Sequence, residues 1–218
     1  SNDDTIIGSI DSGEGNNAEL NTLSNIDVID GGAGTDTLKV NHAAGDVTLG
    51  NLSNVEVVEV SSAAGEGVTV DSSDIAGITD LNLVKAAGKI DLTAAAETNV
   101  DVASKGHAVD VTGGKDVTIN LTDASGDNVT VDGAPKGDVN VTATGVAAAN
   151  GTNVTMGNIT VTGGSTINVT QQATSSTAAL VAGNTAVTHT QGDVTVNADA
   201  STTAVTVKQD AAVDADSK

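Results

Sequence analysis

A short apolar-x-apolar triplet recurs about every ten residues along most of this chain. Successive triplets are separated by Gly, Ala, Asp, Ser or Asn, and they include Val68-Thr69-Val70, Val100-Asp101-Val102 and Val129-Thr130-Val131. Such alternation over so few residues is a β-strand signal, in which the β-branched residues point inward and Thr, Asn or Asp point outward. No stretch sustains a helical period, so the sequence predicts an all-β fold of many short strands.

Strands at this spacing could form an antiparallel sandwich or a parallel solenoid, and composition favours the solenoid. The 218 residues include no Phe, Trp or Tyr and one Met, so the core is built from Val, Ile, Leu and Ala. Two stacked sheets need large side chains to fill a gap of about 10 Å, whereas identical rungs about 4.8 Å apart stack small branched ones. Disorder is disfavoured because 38% of the residues are hydrophobic and recur regularly. We therefore predict an elongated parallel β-solenoid of the β-roll or β-helix kind.

The formal net charge of −21 limits the partners of this chain. A phosphate backbone would be repelled, and a groove of basic and aromatic side chains cannot be assembled from eight Lys with no Arg and no aromatics. No apolar run approaches the roughly 20 residues that span a bilayer. We expect no nucleic-acid partner and no membrane insertion by this segment. A polyanionic surface attracts divalent cations, although acidic surfaces also simply keep proteins soluble.

The most specific local motif is Gly31-Gly32-Ala33-Gly34-Thr35-Asp36-Thr37-Leu38-Lys39, which matches the nonapeptide G-G-x-G-x-D-x-U-x. Its glycines allow a tight turn with inward carbonyl oxygens, Asp36 adds a hard carboxylate, and Leu38 anchors the next strand. Calcium takes six to eight such oxygens, so an adjacent turn must supply the remainder. The alternative interpretation is a simple turn, since Gly and Asp are favoured in turns for backbone reasons.

Partial copies of the motif upstream are candidates for the second turn. Asp27-Val28-Ile29 and Asp4-Thr5-Ile6 repeat its D-x-U half, and Gly13-Glu14-Gly15-Asn16-Asn17 is similar to a degenerate glycine turn. Asp30 lies beside the first motif glycine. The predicted Ca²⁺-binding residues are therefore Gly31, Gly32, Gly34, Asp36, Asp30, Asp27, Asp4 and Asp3.

These residues carry a resemblance to a known class of proteins. The stretch from Asp3 to Leu38 resembles the repeats-in-toxin (RTX) calcium module of Gram-negative surface-layer (S-layer) proteins. Residues 51–60 are similar to the segment that follows it, and residues 194–207 to their Thr- and Val-rich rods. The resemblance implies a type-I-secreted subunit of a paracrystalline coat on the bacterial cell surface, with calcium needed for folding and lattice contacts. The chain departs from the toxin pattern in carrying one complete nonapeptide instead of a tandem array.

We divide the chain into a calcium-binding segment, residues 1–45, that caps the solenoid, and a low-complexity rod, residues 46–218. Two strands per turn would give eight or nine rungs from Asp46 onward, with loops expected near 145–151 and 171–185. An open solenoid end would expose a strand edge, which we expect flanking sequence or another subunit to cover.

The expected function is structural: a subunit that self-associates into a surface lattice or contacts other cell-surface components. The alternatives are the stalk or passenger of a type-I-secreted adhesin, and a solenoid that spaces a catalytic domain outside this segment. We expect no enzyme activity, because no nucleophile-elbow or oxyanion motif is present. His42, His107 and His189 are scattered and are expected at the surface.

An acidic series is formed by the outward residues Asp91, Asp101 and Asp110. If a rung holds two strands, Asp91 and Asp110 lie about one turn apart and stack on one face. Stacked carboxylates repel unless a cation relieves them, and Lys89, Lys115 or calcium could do so. Otherwise this series is a solvated acidic face.

Overall fold

A computed structural model describes residues 2–11, 22–47, 49–147, 153–175 and 187–212. The strands in these residues are β1 (Thr5–Ile10), β2 (Val28–Asp30), β3 (Thr37–His42), β4 (Asn51–Ser53), β5 (Val57–Ser62), β6 (Val68–Asp71), β7 (Asp80–Lys85), β8 (Ile90–Ala94), β9 (Asn99–Lys105), β10 (Val109–Gly113), β11 (Val117–Thr122), β12 (Val129–Asp132), β13 (Asp138–Ala147), β14 (Val154–Thr155), β15 (Ile159–Thr162), β16 (Thr166–Ser175), β17 (His189–Thr190), β18 (Val194–Asn197) and β19 (Ala204–Ala212). The described residues contain no helix, and thus none long and apolar enough to cross a membrane.

Every pairing between these strands is parallel, and the predicted parallel β-solenoid architecture is confirmed. The larger sheet has nine strands in the order β1-β3-β5-β7-β9-β11-β13-β16-β19, and the smaller has six in the order β18-β15-β12-β10-β8-β6. The pairs β2-β4 and β14-β17 form two short additional sheets. From β5 onward the chain alternates between the two main sheets, so each turn of the solenoid adds one strand to each.

The core is a narrow strip of stacked branched side chains between the two sheets. The parallel register of the larger sheet places one apolar residue of each strand above the next, in a column of fully buried side chains: Leu38, Val58, Leu81, Val100, Val117, Val139 and Ile167. Each residue fills one rung spacing, so no aromatic ring is needed. Burying each such side chain contributes about 1.5–3 kcal/mol.

The turns of the solenoid lengthen towards the C-terminus, which reduces the number of rungs. Partners in the larger sheet are 19 residues apart for Asp80 and Asn99, 28 for Asn140 and Asn168, and 38 for Gln171 and Gln209. Within the described residues, the larger sheet therefore receives seven strands after Asp46, β5, β7, β9, β11, β13, β16 and β19, where a constant interval had predicted eight or nine. The β-strand period was read correctly, but the lengths of the connections are not constant.

The larger sheet runs from β1 to β19 without interruption across residue 45. The segment 1–45 thus adds two strands to the sheet of the rod. Its assignment as a separate calcium-binding segment stays a prediction. The first residues of both stretches expected to be loops are strand, because β13 continues through Ala147 and β16 through Ser175. The rest of the stretches 145–151 and 171–185 lies outside the described residues, as does the degenerate turn at Gly13–Asn17.

The last described strand leaves part of the core column uncovered. Val205 and Val207 continue the inward columns of Ile167 and Val169, yet they are 47% and 45% exposed. Among the described residues, no strand pairs with the far edge of β19.

Candidate metal centre

Three turns stack directly before strands β1, β3 and β5. The register pairs Thr5 with Thr37 and Thr37 with Val57, so Asp4, Asp36 and Glu56 occupy equivalent positions in successive turns. The Asp4 N–H donates to Asp36 Oδ1 at 2.7 Å, and the Asp36 N–H donates to Glu56 Oε2 at 2.8 Å. The carboxylates of Asp36 and Glu56 thus each bind the backbone of the turn before them, which links the three turns along the solenoid axis.

Asp36 is fully buried, with 0% of its surface exposed. Its Oδ1 accepts the bond from Asp4, but its Oδ2 is buried with no hydrogen-bond partner. A buried polar atom without a partner costs about 1–3 kcal/mol, and more when it is charged. A carboxylate oxygen in this position is a ready ligand for a hard cation such as Ca²⁺.

The motif glycines Gly31 and Gly34 lie where neighbouring turns approach most closely. A Cβ at Gly31 would overlap the Asn54 carbonyl oxygen and would lie 2.8 Å from Asp36 Oδ2. A Cβ at Gly34 would lie 2.5 Å from the Asn2 carbonyl oxygen and 2.9 Å from Asp3 Oδ1. Only glycine fits at these two places, and oxygen atoms of adjacent turns surround both.

The remaining predicted acidic residues stabilise turns. Asp3 Oδ1 accepts the Thr35 N–H at 2.8 Å, which ties the first turn to the motif. Asp30 Oδ1 accepts from the Asn54 amide at 2.7 Å and from the Gly32 N–H at 3.1 Å. These two bonds, chiefly the one from Asn54, lower the pKa of the Asp30 carboxyl.

Asp27 lies apart from this group. Its Oδ2 accepts from the N–H and hydroxyl of Ser24, so its carboxylate closes the turn before β2. Gly32 has a φ of +90° and open space around it, which explains glycine there by backbone conformation. The structure therefore brings together Asp3, Asp4, Gly31, Gly34 and Asp36. Asp27 and Gly32 serve their own turns, whereas Asp30 binds both its own turn and Asn54 of the next one.

Sequence inspection missed the third turn, which contributes Asn54 and Glu56. This turn carries no glycine motif, so a search for the nonapeptide passes over it. Aligning the apolar residues Leu38 and Val58 would have placed Glu56 above Asp36. Within the described residues, no group of three or more His, Cys, Asp or Glu side chains could hold a metal ion. A cation beside Asp36 would therefore draw most of its ligands from main-chain carbonyls.

The outward acidic series divides between the two sheets. Asp91 and Asp110 are register partners in the smaller sheet, as expected from a two-strand rung. Lys89 Nζ lies 2.5 Å from Asp110 Oδ2 and 3.9 Å from Asp91 Oδ2, so one ammonium serves both carboxylates. The hydrogen bond to Asp110 is the main cause that raises the pKa of Lys89. Asp101 instead lies on β9 of the larger sheet, between Asn82 and Thr118, and Lys115 pairs with Asp116 at 3.5 Å.

The expectation that the histidines are surface residues is wrong for His42. It is 2% exposed and stacks in an inward column, with Nδ1 at 2.8 Å from Ser62 Oγ and Nε2 at 2.8 Å from the Gly45 carbonyl. His189 Nε2 contacts Ser175 Oγ at 2.7 Å. Both partners of the His42–Ser62 pair are buried, so the pair satisfies hydrogen bonds inside the solenoid.

Comparison with protein families, with curated proteins and with solved structures found no match for this chain. The fold therefore defines the class: an all-β protein whose dominant element is a long sheet of nine parallel strands, of the parallel β-solenoid type.

Proposed function

We propose that this chain is a calcium-stabilised structural segment of an extracellular bacterial surface layer, that it assembles through lateral contacts, and that it has no catalytic role. The observation that carries the calcium part is the buried Oδ2 of Asp36, which has no hydrogen-bond partner. The surface-layer part depends on the resemblance of residues 3–38 to the RTX calcium module and on the rod-like fold.

The groups that would hold Ca²⁺ are the carboxylates of Asp36 and of Asp3 in the preceding turn, together with main-chain carbonyls around Gly31 and Gly34. Calcium prefers carboxylate and carbonyl oxygens and tolerates irregular ligand geometry, which suits a site between glycine turns. When bound, the ion would supply positive charge that binds oxygens of successive turns together.

The charge of the chain favours the same proposal. A net charge of −21 makes the compact state repel itself, and Asp3, Asp4, Asp36 and Glu56 concentrate carboxylates in three adjacent turns. A ligand that binds the folded chain and not the unfolded chain stabilises the fold by mass action. Calcium at this end would therefore order the first rungs, on which the later rungs stack.

The test compares Asp36→Asn with the wild type in thermal unfolding, in calcium and in a chelator. Asparagine keeps Oδ1 for the Asp4 N–H and removes the buried charge. Without calcium, we expect Asp36→Asn to unfold at the same temperature as the wild type or higher. With calcium, the wild type should gain several degrees and Asp36→Asn should gain little.

Asp193→Asn is the control, because Asp193 is exposed near the opposite end of the solenoid and the substitution removes the same charge. It should respond to calcium as the wild type does. An equal calcium response in Asp36→Asn and the wild type would contradict a site at Asp36.

Sedimentation in calcium separates the lattice role from the adhesin stalk. A lattice subunit should form ordered, concentration-dependent assemblies, whereas a stalk should stay monomeric and bind a different molecule. Persistent monomers at every concentration would favour the stalk.

A further inference from the structure

The outward side of β11, β13 and β16 is a surface without charge. We define the neutral face as the outward side chains within residues 118–122, 140–146 and 168–174, where no residue is charged. They are Thr, Asn and Gln with one apolar member, Val146, which is 38% exposed. A second uncharged area surrounds Thr130, Thr160 and Thr195 on the smaller sheet, but its three strands have only four residues each.

Charged side chains border the neutral face on both sides. Strand β9 carries Asp101 and Lys105, and Lys105 pairs with Asp123 at 3.1 Å. Strand β19 carries Lys208 and Asp210, which pair at 2.8 Å. The same sheet also carries the Lys39–Glu59 pair nearer the N-terminus, at 3.1 Å. Within the larger sheet, the neutral face on β11, β13 and β16 therefore lies between charged strands.

The neutral face is also long and regular. Strands β13 and β16 have ten residues each and pair without a break in register from Asp138 and Thr166 to Ala147 and Ser175. The Asn168 amide donates to Asn140 Oδ1 at 3.0 Å, which holds both side chains in one ladder. Side chains that are already ordered lose less entropy on association.

We propose that the neutral face is the lateral contact between two copies of this chain. Two chains of charge −21 repel over most of their surfaces, and this face lets them approach without bringing like charges together. Interface centres are depleted in charged residues, and Thr, Asn and Gln can pair across a two-fold contact in which each copy presents the same patch. The inference rests on the assembling role proposed above and does not depend on the site at Asp36.

The size of the face indicates a weak contact. Three strands about 4.8 Å apart, of which the longest two contribute seven residues each, cover roughly 14 by 23 Å, or about 320 Å² per copy. Two copies would bury roughly 640 Å², below the range of stable complexes. Such a contact becomes effective when many copies are linked in one array.

Because the chain contains no Cys, single-cysteine variants test the contact directly. Thr142→Cys places a thiol in the middle of the neutral face, and Thr160→Cys places one on β15 in the smaller sheet. Both threonines have uncharged register partners, Asn120 and Thr170 for Thr142, and Thr130 and Thr195 for Thr160. With a short bifunctional maleimide, we expect Thr142→Cys to give several-fold more covalent dimer than Thr160→Cys.

A charged substitution provides a second test of the contact. Thr170→Cys should also crosslink, and adding Thr142→Glu should reduce its yield to the level of Thr160→Cys, with an unchanged circular dichroism spectrum. Equal yields from the two sheets, or a yield unaffected by Thr142→Glu, would overturn the proposal.

Sedimentation of the wild type in calcium distinguishes failure of the neutral face from failure of the assembling role. If it assembles while Thr142→Cys does not crosslink, the assembling role stands and this face is wrong. If it remains monomeric and Thr142→Cys does not crosslink, the assembling role fails with it.

Discussion

In the first three turns, glycine allows contacts between turns that a larger side chain would block. Gly31 leaves room for the Asn54 carbonyl and the Asp36 side chain, and Gly31 also donates its N–H to the Ser53 carbonyl at 3.0 Å. Asp36 uses one oxygen to hold Asp4 and keeps the other unpaired. The close approach of the turns and the buried carboxylate therefore depend on the same glycine.

We predict that Gly31→Ala destabilises the chain by about 1–3 kcal/mol, because the added methyl group overpacks a contact made by backbone atoms. Gly65→Ala is the matched control, since a Cβ there meets nothing within 4 Å and its φ is not positive. That variant should be neutral or more stable by up to about 1 kcal/mol. Denaturant unfolding in a chelator measures both, and equal stabilities of the two variants would refute this account of Gly31.

At the level of strands, side chains on adjacent rungs interact through register. In the inward columns this interaction is stabilising, because Leu, Val and Ile side chains of similar size fill the space between rungs. In the outward columns, stacking is stabilising only when the stacked groups are neutral or of opposite charge, as in the Asn140–Asn168 ladder. The Asp91–Asp110 pair is the opposite case, and Lys89 compensates for it.

We predict that Lys89→Gln destabilises the chain by about 0.5 kcal/mol at low salt, since the pair is largely exposed and its loss leaves two stacked carboxylates unopposed. The pKa of Lys89 is raised in the folded chain, so its contribution is complete below the ordinary lysine value of 10.5 and is lost as the pH rises above it. Urea unfolding at pH 7 and at low and high salt measures the difference.

The control is Lys136→Gln, which removes an exposed pair with Glu97 at 2.6 Å. It should cost less than Lys89→Gln, because no second carboxylate is stacked on Glu97. A loss for Lys89→Gln that stays the same in high salt would contradict the electrostatic explanation.

The whole molecule is a long stack of rungs with a large excess of negative charge. Contacts between neighbouring rungs stabilise the fold, whereas the net charge of −21 destabilises the compact state through self-repulsion. Salt screens this repulsion over about 8 Å at physiological ionic strength. Calcium should add a separate, saturable effect at the first turns.

We predict that raising NaCl from about 10 to 150 mM increases the unfolding temperature through screening. At matched ionic strength, millimolar CaCl₂ should raise it further by several degrees and saturate, as mass action at a site requires. MgCl₂ at the same concentration is the control for divalent charge, because Mg²⁺ demands a regular octahedron and dehydrates reluctantly. Equal unfolding temperatures in calcium, magnesium and sodium would leave the screening account intact and remove the calcium site.

Much of this fold could be predicted from local patterns. The alternation in triplets such as Val100-Asp101-Val102 assigned strands and their inward faces correctly, because strand periodicity is local. The lack of aromatic residues predicted a narrow stacked core, because small branched side chains fill the spacing of about 4.8 Å between rungs. The nonapeptide also located a glycine turn with a buried carboxylate, since close contacts between turns require glycine.

Register and connection length required the tertiary structure. Asp36 is 32 residues from Asp4 and 20 from Glu56, so no fixed interval predicts that these three residues stack. The packing of apolar columns such as Leu38 on Val58 sets the register, and the chain between them adopts whatever length remains. The burial of His42 and the neutral face arise in the same way: each is a property of side chains from separate turns, which local sequence does not bring together.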